Sequence, residues 1–208
     1  MSKHIACIVL LNGLLGLWAG SLWAQSGTHT QFTVLPESKL VLNGNSTMHE
    51  YSTRASLLSG TIIVDSLLFV EGKGTPLKPF YHVEITIAVK KMLSGNEKLD
   101  NNLYDALKAD DHPDITYQIT DDSVISAGKD SLTVRAAGKL AVAGKEKAID
   151  MVVTVRKNQD GALTIKGSKE LLMTDFDVDP PSMMLGLLKT DNAVVIHFNL
   201  RAQQHNVQ

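Results

Sequence analysis

Three aspartates at alternate positions, Asp175, Asp177 and Asp179, have the spacing of the first oxygen ligands of a calcium loop. The sixth position of that loop, where a sharp turn needs Gly, is Pro180, and the twelfth, where a bidentate Glu is needed, is Gly186. They are read as solvated turn groups. Gly138 to Lys145 has the look of a phosphate-binding loop, yet five residues rather than four separate Gly138 from Gly144, and Glu146 stands where magnesium needs a hydroxyl. Beyond residue 24 the histidines are His29, His49, His82, His112, His197 and His205, and no two share the short spacing of zinc ligands on a helix or finger. His49-Glu50 lacks the second His of a metalloprotease helix. Ser, His and Asp are all present, but no G-x-S-x-G elbow presents a nucleophile. Asn45-Ser46-Thr47 is a glycosylation sequon, which matters only in a eukaryotic secretory host. No metal or cofactor site is therefore expected, a Ser/His/Asp triad assembled in space stays open with only background support, and the reading turns to the apolar residues.

Those residues alternate. Val83, Ile85, Ile87 and Val89 interleave with His82, Glu84, Thr86 and Ala88, and Ile115, Tyr117 and Ile119 interleave with Thr116, Gln118 and Thr120. Period two marks strands with one face buried. Further runs cover Gln31 to Leu35, Lys39 to Ser46, Arg54 to Asp65, Leu67 to Val70, Ser131 to Ala143, Lys147 to Lys157, Ala162 to Met173 and Ala193 to Ala202. Turn signals at Ala127-Gly128-Lys129-Asp130, Ala143-Gly144-Lys145 and Asn158-Gln159-Asp160-Gly161 separate several of them. His82 and His197 fall on the polar phase and should be exposed.

One stretch has helical periodicity. Ser94-Gly95-Asn96-Glu97 fits a capping box, and a helix is predicted from about Asn96 to Lys108. Leu99, Leu103, Ala106 and Leu107 share one face, Lys98, Asp100, Asn101 and Asp105 should be wet, and His112-Pro113 should end the element. Links between strands are too short for parallel crossovers. The expected fold is all-β: a lipocalin-like antiparallel β-barrel of about eight strands with one short capping helix. A barrel of that size either fills itself with side chains or holds one small ligand. The inward phases Val83, Ile85, Ile87, Ile115, Tyr117, Ile119, Leu132, Val134, Met151, Val153, Val155, Leu163, Ile165, Val194, Ile196 and Phe198 suit either outcome. His49 is either a polar contact at the barrel mouth or a residue that fixes its loop.

The 208 residues carry 20 Lys and Arg against 22 Asp and Glu, a net charge of -2, with 44% hydrophobic residues. That balance excludes a disordered chain and gives no basic face for nucleic acid. Lys3 and His4 precede an apolar run from Ile5 to Trp18, followed by the small residues Ala19, Gly20, Ser21 and Ala24. This is the layout of a secretory signal peptide, expected over residues 1–24, with a single domain over 25–208. The run is shorter than the roughly 20 apolar residues of a membrane span, and no integral membrane segment is expected after its removal. The single cysteine, Cys7, would leave with it, so disulfides and thiolate chemistry are not expected in the mature protein. Residence is expected in the periplasm or outside the cell.

Several separated stretches resemble the YceI-like family of exported lipid- and polyisoprenoid-binding proteins. They are Phe32-Thr33-Val34, Ser38-Lys39-Leu40, Gly44-Asn45-Ser46-Thr47-Met48-His49, Ser94 to Leu99, Asn102 to Lys108, His112 to Tyr117, Met173 to Pro181, Met184-Leu185-Gly186 and Leu188-Lys189-Thr190. The resemblance implies a barrel whose long apolar cavity holds an isoprenoid or fatty-acyl lipid without catalysis or metal. Joined to the strand phase, it nominates Phe69, Val83, Ile85, Ile87, Ile115, Tyr117, Ile119, Met151, Val153, Val155 and Phe198 as lipid contacts. Two other readings stay open: a filled-barrel interaction or scaffold module of the cell envelope, and a hydrolase or isomerase acting on a lipid through His49 or Asp175. A homodimer also stays open.

Overall fold

The computed structural model describes residues 29–183 and 188–205. The expected signal peptide and Met184-Leu185-Gly186 lie outside those residues. The elements are β1 (His29–Val34), β2 (Lys39–Ser46), β3 (Glu50–Ala55), β4 (Leu58–Asp65), β5 (Phe80–Ala88), β6 (Met92–Leu93), α1 (Glu97–Ala106), β7 (Asp114–Ala127), β8 (Ser131–Val142), β9 (Lys145–Lys157), β10 (Leu163–Leu172), β11 (Ser182–Met183) and β12 (Leu188–Gln204). Every pairing is antiparallel, and the path β1-β4-β5-β7-β8-β9-β10-β12 closes on itself through β1 and β12. This is an eight-stranded barrel, as the alternation and short links require.

The register explains the surplus strands. β1 and β2 pair with successive stretches of the same edge of β12, Val34 opposite Ala202 and Lys39 opposite Asn199. They are two halves of one stave, interrupted at Pro36, which has no N–H to give a ladder. Ser38 mends the break: its hydroxyl donates to the Arg201 carbonyl and accepts from the Arg201 N–H at 3.0 Å. β3 and β4 form the second stave and β5 and β6 the third, by the same logic. The expected strand Arg54 to Asp65 is thus split at Ser56-Leu57, and its stave begins at Glu50.

The strand expected at Leu67 to Val70 is a turn. The Asp65 carboxylate accepts from the Leu67 N–H at 2.7 Å, and the Asp65 carbonyl from the Leu68 N–H. That local capping outcompetes a ladder, and it leaves Phe69 at a positive φ of 63°.

The helix forms where predicted but is capped differently. Asn96, not Ser94, is the N-cap, its side-chain oxygen accepting from the Leu99 N–H. Ser94 instead donates through both its N–H and its hydroxyl to one Asp100 oxygen, at 2.7 and 2.6 Å. Asp100 is therefore buried rather than wet. The Tyr104 hydroxyl, shared between the carbonyls of Lys90 and Met92, pins the helix to the third stave. Lys108 ends the helix at φ 53°, with the Ala109 N–H returning to the Tyr104 carbonyl, so the turn His112-Pro113 was expected to impose comes earlier. Asp100→Ala removes the acceptor for two part-buried donors. It should lower stability by about 1–3 kcal/mol, read as a shift of the denaturant midpoint, while Ser94→Ala costs less because the Ser94 N–H keeps its carboxylate.

Core packing is uneven along the barrel axis. At the end holding the β7–β8 and β9–β10 turns, Phe32, Val34, Leu132, Val134, Val155, Leu163 and Ala202 are buried together. The other end, bounded by α1, the β2–β3 turn and the segment after β10, is not filled in this way.

Candidate ligand-binding cavity

That end encloses a cavity of about 350 Å³, within the roughly 300–1,000 Å³ of small-molecule sites. Every stave contributes to its wall. The inward phases supply Leu40 and Leu42 from β2, Tyr51 and Thr53 from β3, Ile62 from β4, Phe80, Val83, Ile85 and Ile87 from β5, and Met92 from β6. Ile115, Tyr117 and Ile119 come from β7, Ala136, Leu140 and Val142 from β8, Ile149, Met151 and Val153 from β9, and Val194, Ile196, Phe198 and Leu200 from β12. β10 adds Ile165 and Leu171. Leu99, Leu103, Ala106 and Leu107 of the helix cover one side, and Met173, Phe176 and Val178 cover another. Ser46, Met48, His49, Asn102, Lys169, Leu172, Pro181, Lys189 and Thr190 complete the lining.

Why the barrel stays hollow here is visible at three glycines. The far ends of the Tyr51, Tyr117 and Phe198 rings lie against Gly44, Gly138 and Gly167 across the sheet. Any Cβ at those positions would collide with the ring. Glycine lets an aromatic side chain hug the backbone rather than project inward, the arrangement known as aromatic rescue of glycine.

Two ladders part around the cavity. β9 and β10 are paired only from Lys157 opposite Leu163 to Val153 opposite Gly167. Beyond that point, the ion pairs Asp150–Lys169, Lys147–Asp175 and Lys145–Asp177 tie β9 to β10 and to the segment carrying Phe176. β5 and β7 likewise stop pairing at Glu84 opposite Gln118. There the Asp122 carboxylate accepts from the Phe80 N–H at 3.4 Å, and Lys78 pairs with Asp121 at 2.7 Å.

Of the eleven nominated contacts, all but Phe69 and Val155 line this cavity. Phe69 is in the turn between β4 and β5, where no strand phase exists to aim it inward. Val155 does point into the barrel and is fully buried, but at the filled end, opposite Leu132 and Ile165. Strand phase tells inside from outside; it is silent on height. Tyr51 and Thr53 also line the cavity but stand outside the nominated set: the expected strand begins only at Arg54, whereas β3 begins at Glu50 and Tyr51, Thr53 and Ala55 alternate along it. His49 is on the rim and exposed; its loop is closed by its backbone, whose N–H and carbonyl both meet Ser46. Asp175 is an exposed partner of Lys147 and not part of the wall. His197 is exposed as expected, and His82 is half-buried beside Glu84.

The site's electrostatics are those of burial. Burial, helped by the Asp191 charge, pushes the Tyr51 phenol up to about 12, and burial with the Asp122 charge does the same to Tyr117. Both stay protonated donors at any physiological pH. Burial also raises the Asp122 carboxyl above the ordinary carboxylate range, the Phe80 N–H and Lys78 opposing it and Asp121 adding to it. A raised carboxyl binds its proton more tightly folded than unfolded, so its contribution to stability falls as pH rises through that window. Asp122→Asn keeps an oxygen for the Phe80 N–H and loses the charge. It should unfold at higher denaturant than wild type at pH 7, the gap closing as pH falls below the ordinary carboxyl range; no gap at pH 7 would contradict this account.

Among the described residues no group of three or more His, Cys, Asp or Glu is placed to hold a metal, and no helix is long and apolar enough to cross a membrane. The arrangement provides a largely apolar compartment suited to a hydrophobic ligand.

Comparison with solved structures places the fold among known barrels. BcnA of Burkholderia cenocepacia is similar with a TM-score of 0.61 at 20% identity, over 80% of this chain and 96% of its own. A polyisoprenoid binding domain from Saccharophagus degradans, implicated in plant cell wall breakdown, is similar at 0.64 and 13% identity, over 85% and 99%. The YCEI protein of Campylobacter jejuni follows at 0.54 and 19%, over 74% and 85%. No curated protein matches the sequence significantly. The family comparison matches residues 26–202 to the YceI-like domain, and on that span the chain belongs to the YceI-like family.

Proposed function

We propose that the protein is an exported, non-enzymatic carrier that binds a polyisoprenoid or similar amphiphilic lipid in the barrel cavity. The carrying observation is the hollow, apolar half of the barrel, held open by aromatic rings laid on glycines. The printed description of the Saccharophagus degradans domain as polyisoprenoid binding supports the ligand class. Nine wall residues act as contacts: Val83, Ile85, Ile87, Ile115, Tyr117, Ile119, Met151, Val153 and Phe198. Removing a chain from water gains about 0.8 kcal/mol per CH₂, enough over several isoprene units to exceed association costs.

Export rests on the n-region, h-region and small residues of the first 24 positions, with residence in the periplasm or outside the cell. Intact mass of the exported protein should correspond to a chain beginning at Gln25.

A homologous series of prenyl alcohols and fatty acids tests the carrier reading by competition with a fluorescent polyene. Affinity should climb with each added unit and then level off once the cavity is full. Affinity independent of chain length would instead favour binding at an outer surface.

A further inference from the structure

Beyond Val153 opposite Gly167 the barrel wall has a seam. β9 stays paired to β8 as far as Lys145, and β10 stays paired to β12 as far as Leu172, but the two strands no longer pair with each other. The segment Met173–Pro181 packs against β9, β10 and β12 at this seam, with Phe176 and Val178 buried in the cavity wall and Asp175 and Asp177 exposed. Its two margins are held differently. Toward β12, the Thr174 N–H donates to the Asn192 side-chain oxygen at 3.0 Å, and the Asn192 amide donates to the Thr174 hydroxyl at 2.8 Å. The Thr190 N–H adds a bond to the Pro181 carbonyl at 3.0 Å. Toward β9 the segment makes no backbone hydrogen bond among the described residues. There Lys145 pairs with Asp177 at 2.9 Å and Lys147 with Asp175 at 3.7 Å, all four side chains exposed. Other covers of the cavity are tied by hydrogen bonds: Tyr104 joins the helix to the carbonyls of Lys90 and Met92, and the Thr47 N–H joins the β2–β3 turn to the Lys189 carbonyl.

We propose that Met173–Pro181 is a hinged flap: it turns on its β12 anchors, releases β9, and admits the lipid chain sideways through the seam. The inference rests on the carrier reading and assigns its route of entry. Exposed ion pairs hold weakly in water, and no ladder has to break between β9 and β10. Phe176 and Val178 set the resting position, since swinging out exposes both to water. The flap is therefore closed most of the time and opens transiently to pass the ligand. Loading and release share this step, so whatever loosens the latch speeds both alike and leaves the affinity unchanged.

The test uses the mature full-length protein, which has no cysteine beyond residue 24, and cis-parinaric acid as probe. Loading is followed by its fluorescence and release by mixing with excess phosphatidylcholine vesicles. Lys145→Cys with Asp177→Cys, bridged by a short bis-maleimide, should slow loading and release at least about tenfold against the same variant capped with N-ethylmaleimide. Asp175→Asn with Asp177→Asn removes both ion pairs, and Asn suits the left-handed backbone of position 177, where φ is 54°. It should speed loading and release together by about two- to tenfold, with Kd within about twofold of wild type. A bridged protein that exchanges the probe as fast as the capped one would overturn the flap and leave the carrier reading intact. So would an asparagine variant that exchanges no faster than wild type, or one that speeds release alone and weakens binding. If wild type does not take up the probe, the carrier reading falls and the flap with it. Should the cysteine variant fail to fold or to bridge, the asparagine variant alone decides.

Discussion

Val155→Phe should destabilise the protein by about 1–3 kcal/mol, whereas Val153→Phe, two residues away on the same strand and face, should cost less than about 1 kcal/mol. Both side chains point into the barrel, and both are buried. The difference is what lies in front of them. Val155 faces a close-packed end in which Val134, Leu132 and Leu163 leave no room, so extra carbons force off-rotamer side chains or backbone shifts. Val153 faces the cavity, where a larger ring replaces empty volume. Ligand binding should show the opposite order: Val153→Phe loses most of its capacity for long chains and Val155→Phe retains it at temperatures where it is folded. Urea midpoints and competition binding on the two variants check both halves. Equal stability losses would mean that the barrel is packed alike at both heights.

The second large effect concerns the glycines that keep the cavity open. An added Cβ at Gly138 would be 2.5 Å from the Tyr117 ring and from the Gln118 carbonyl oxygen, so both a side chain and the backbone must yield. Gly138→Ala should therefore lose about 1–3 kcal/mol and, by pushing the Tyr117 ring inward, reduce the length of chain that fits. At Gly167 the nearest atoms to the Cβ would all belong to the Phe198 ring, the far carbon at 2.6 Å. That ring can swing into the cavity, so Gly167→Ala should lose binding more than stability. Thermal melting beside a chain-length series separates the two cases. A Gly167→Ala protein that binds long chains as wild type does would show that ring placement does not set the cavity's size.

Most of the barrel can be read from the chain because one physical rule, alternation on a half-buried strand, repeats around it. Val83, Ile85 and Ile87, or Ile149, Met151 and Val153, announce their face without any tertiary information. The failures mark where a local interaction overrides the pattern. At Leu67 to Val70 apolar residues follow Asp65, whose carboxylate closes a turn before a strand can form. At Ser94 the capping-box spacing is present, but Asp100 accepts both Ser94 donors and Asn96 takes over the cap. Asp100 looks wet on a helical projection and is buried because that projection omits the strand end it reaches back to. Val155 illustrates the limit of periodicity itself: height along a barrel depends on which staves close against each other, and that is set by pairings such as Phe32 with Gln204, far apart in sequence. Gly44 meets Tyr51 across the short β2–β3 hairpin, but the other two glycine–aromatic contacts join residues further apart, and nothing local pairs Gly167 with Phe198 or Gly138 with Tyr117.

The central claim is that the hollow half of the barrel carries a hydrophobic ligand. Native mass spectrometry of the mature protein, taken from its own exported fraction and followed by solvent extraction of anything released, tests it most directly. The account predicts a discrete adduct of several hundred mass units whose fragments show an isoprenoid or acyl chain. A clean apo mass that persists after incubation with prenyl alcohols and fatty acids would contradict it.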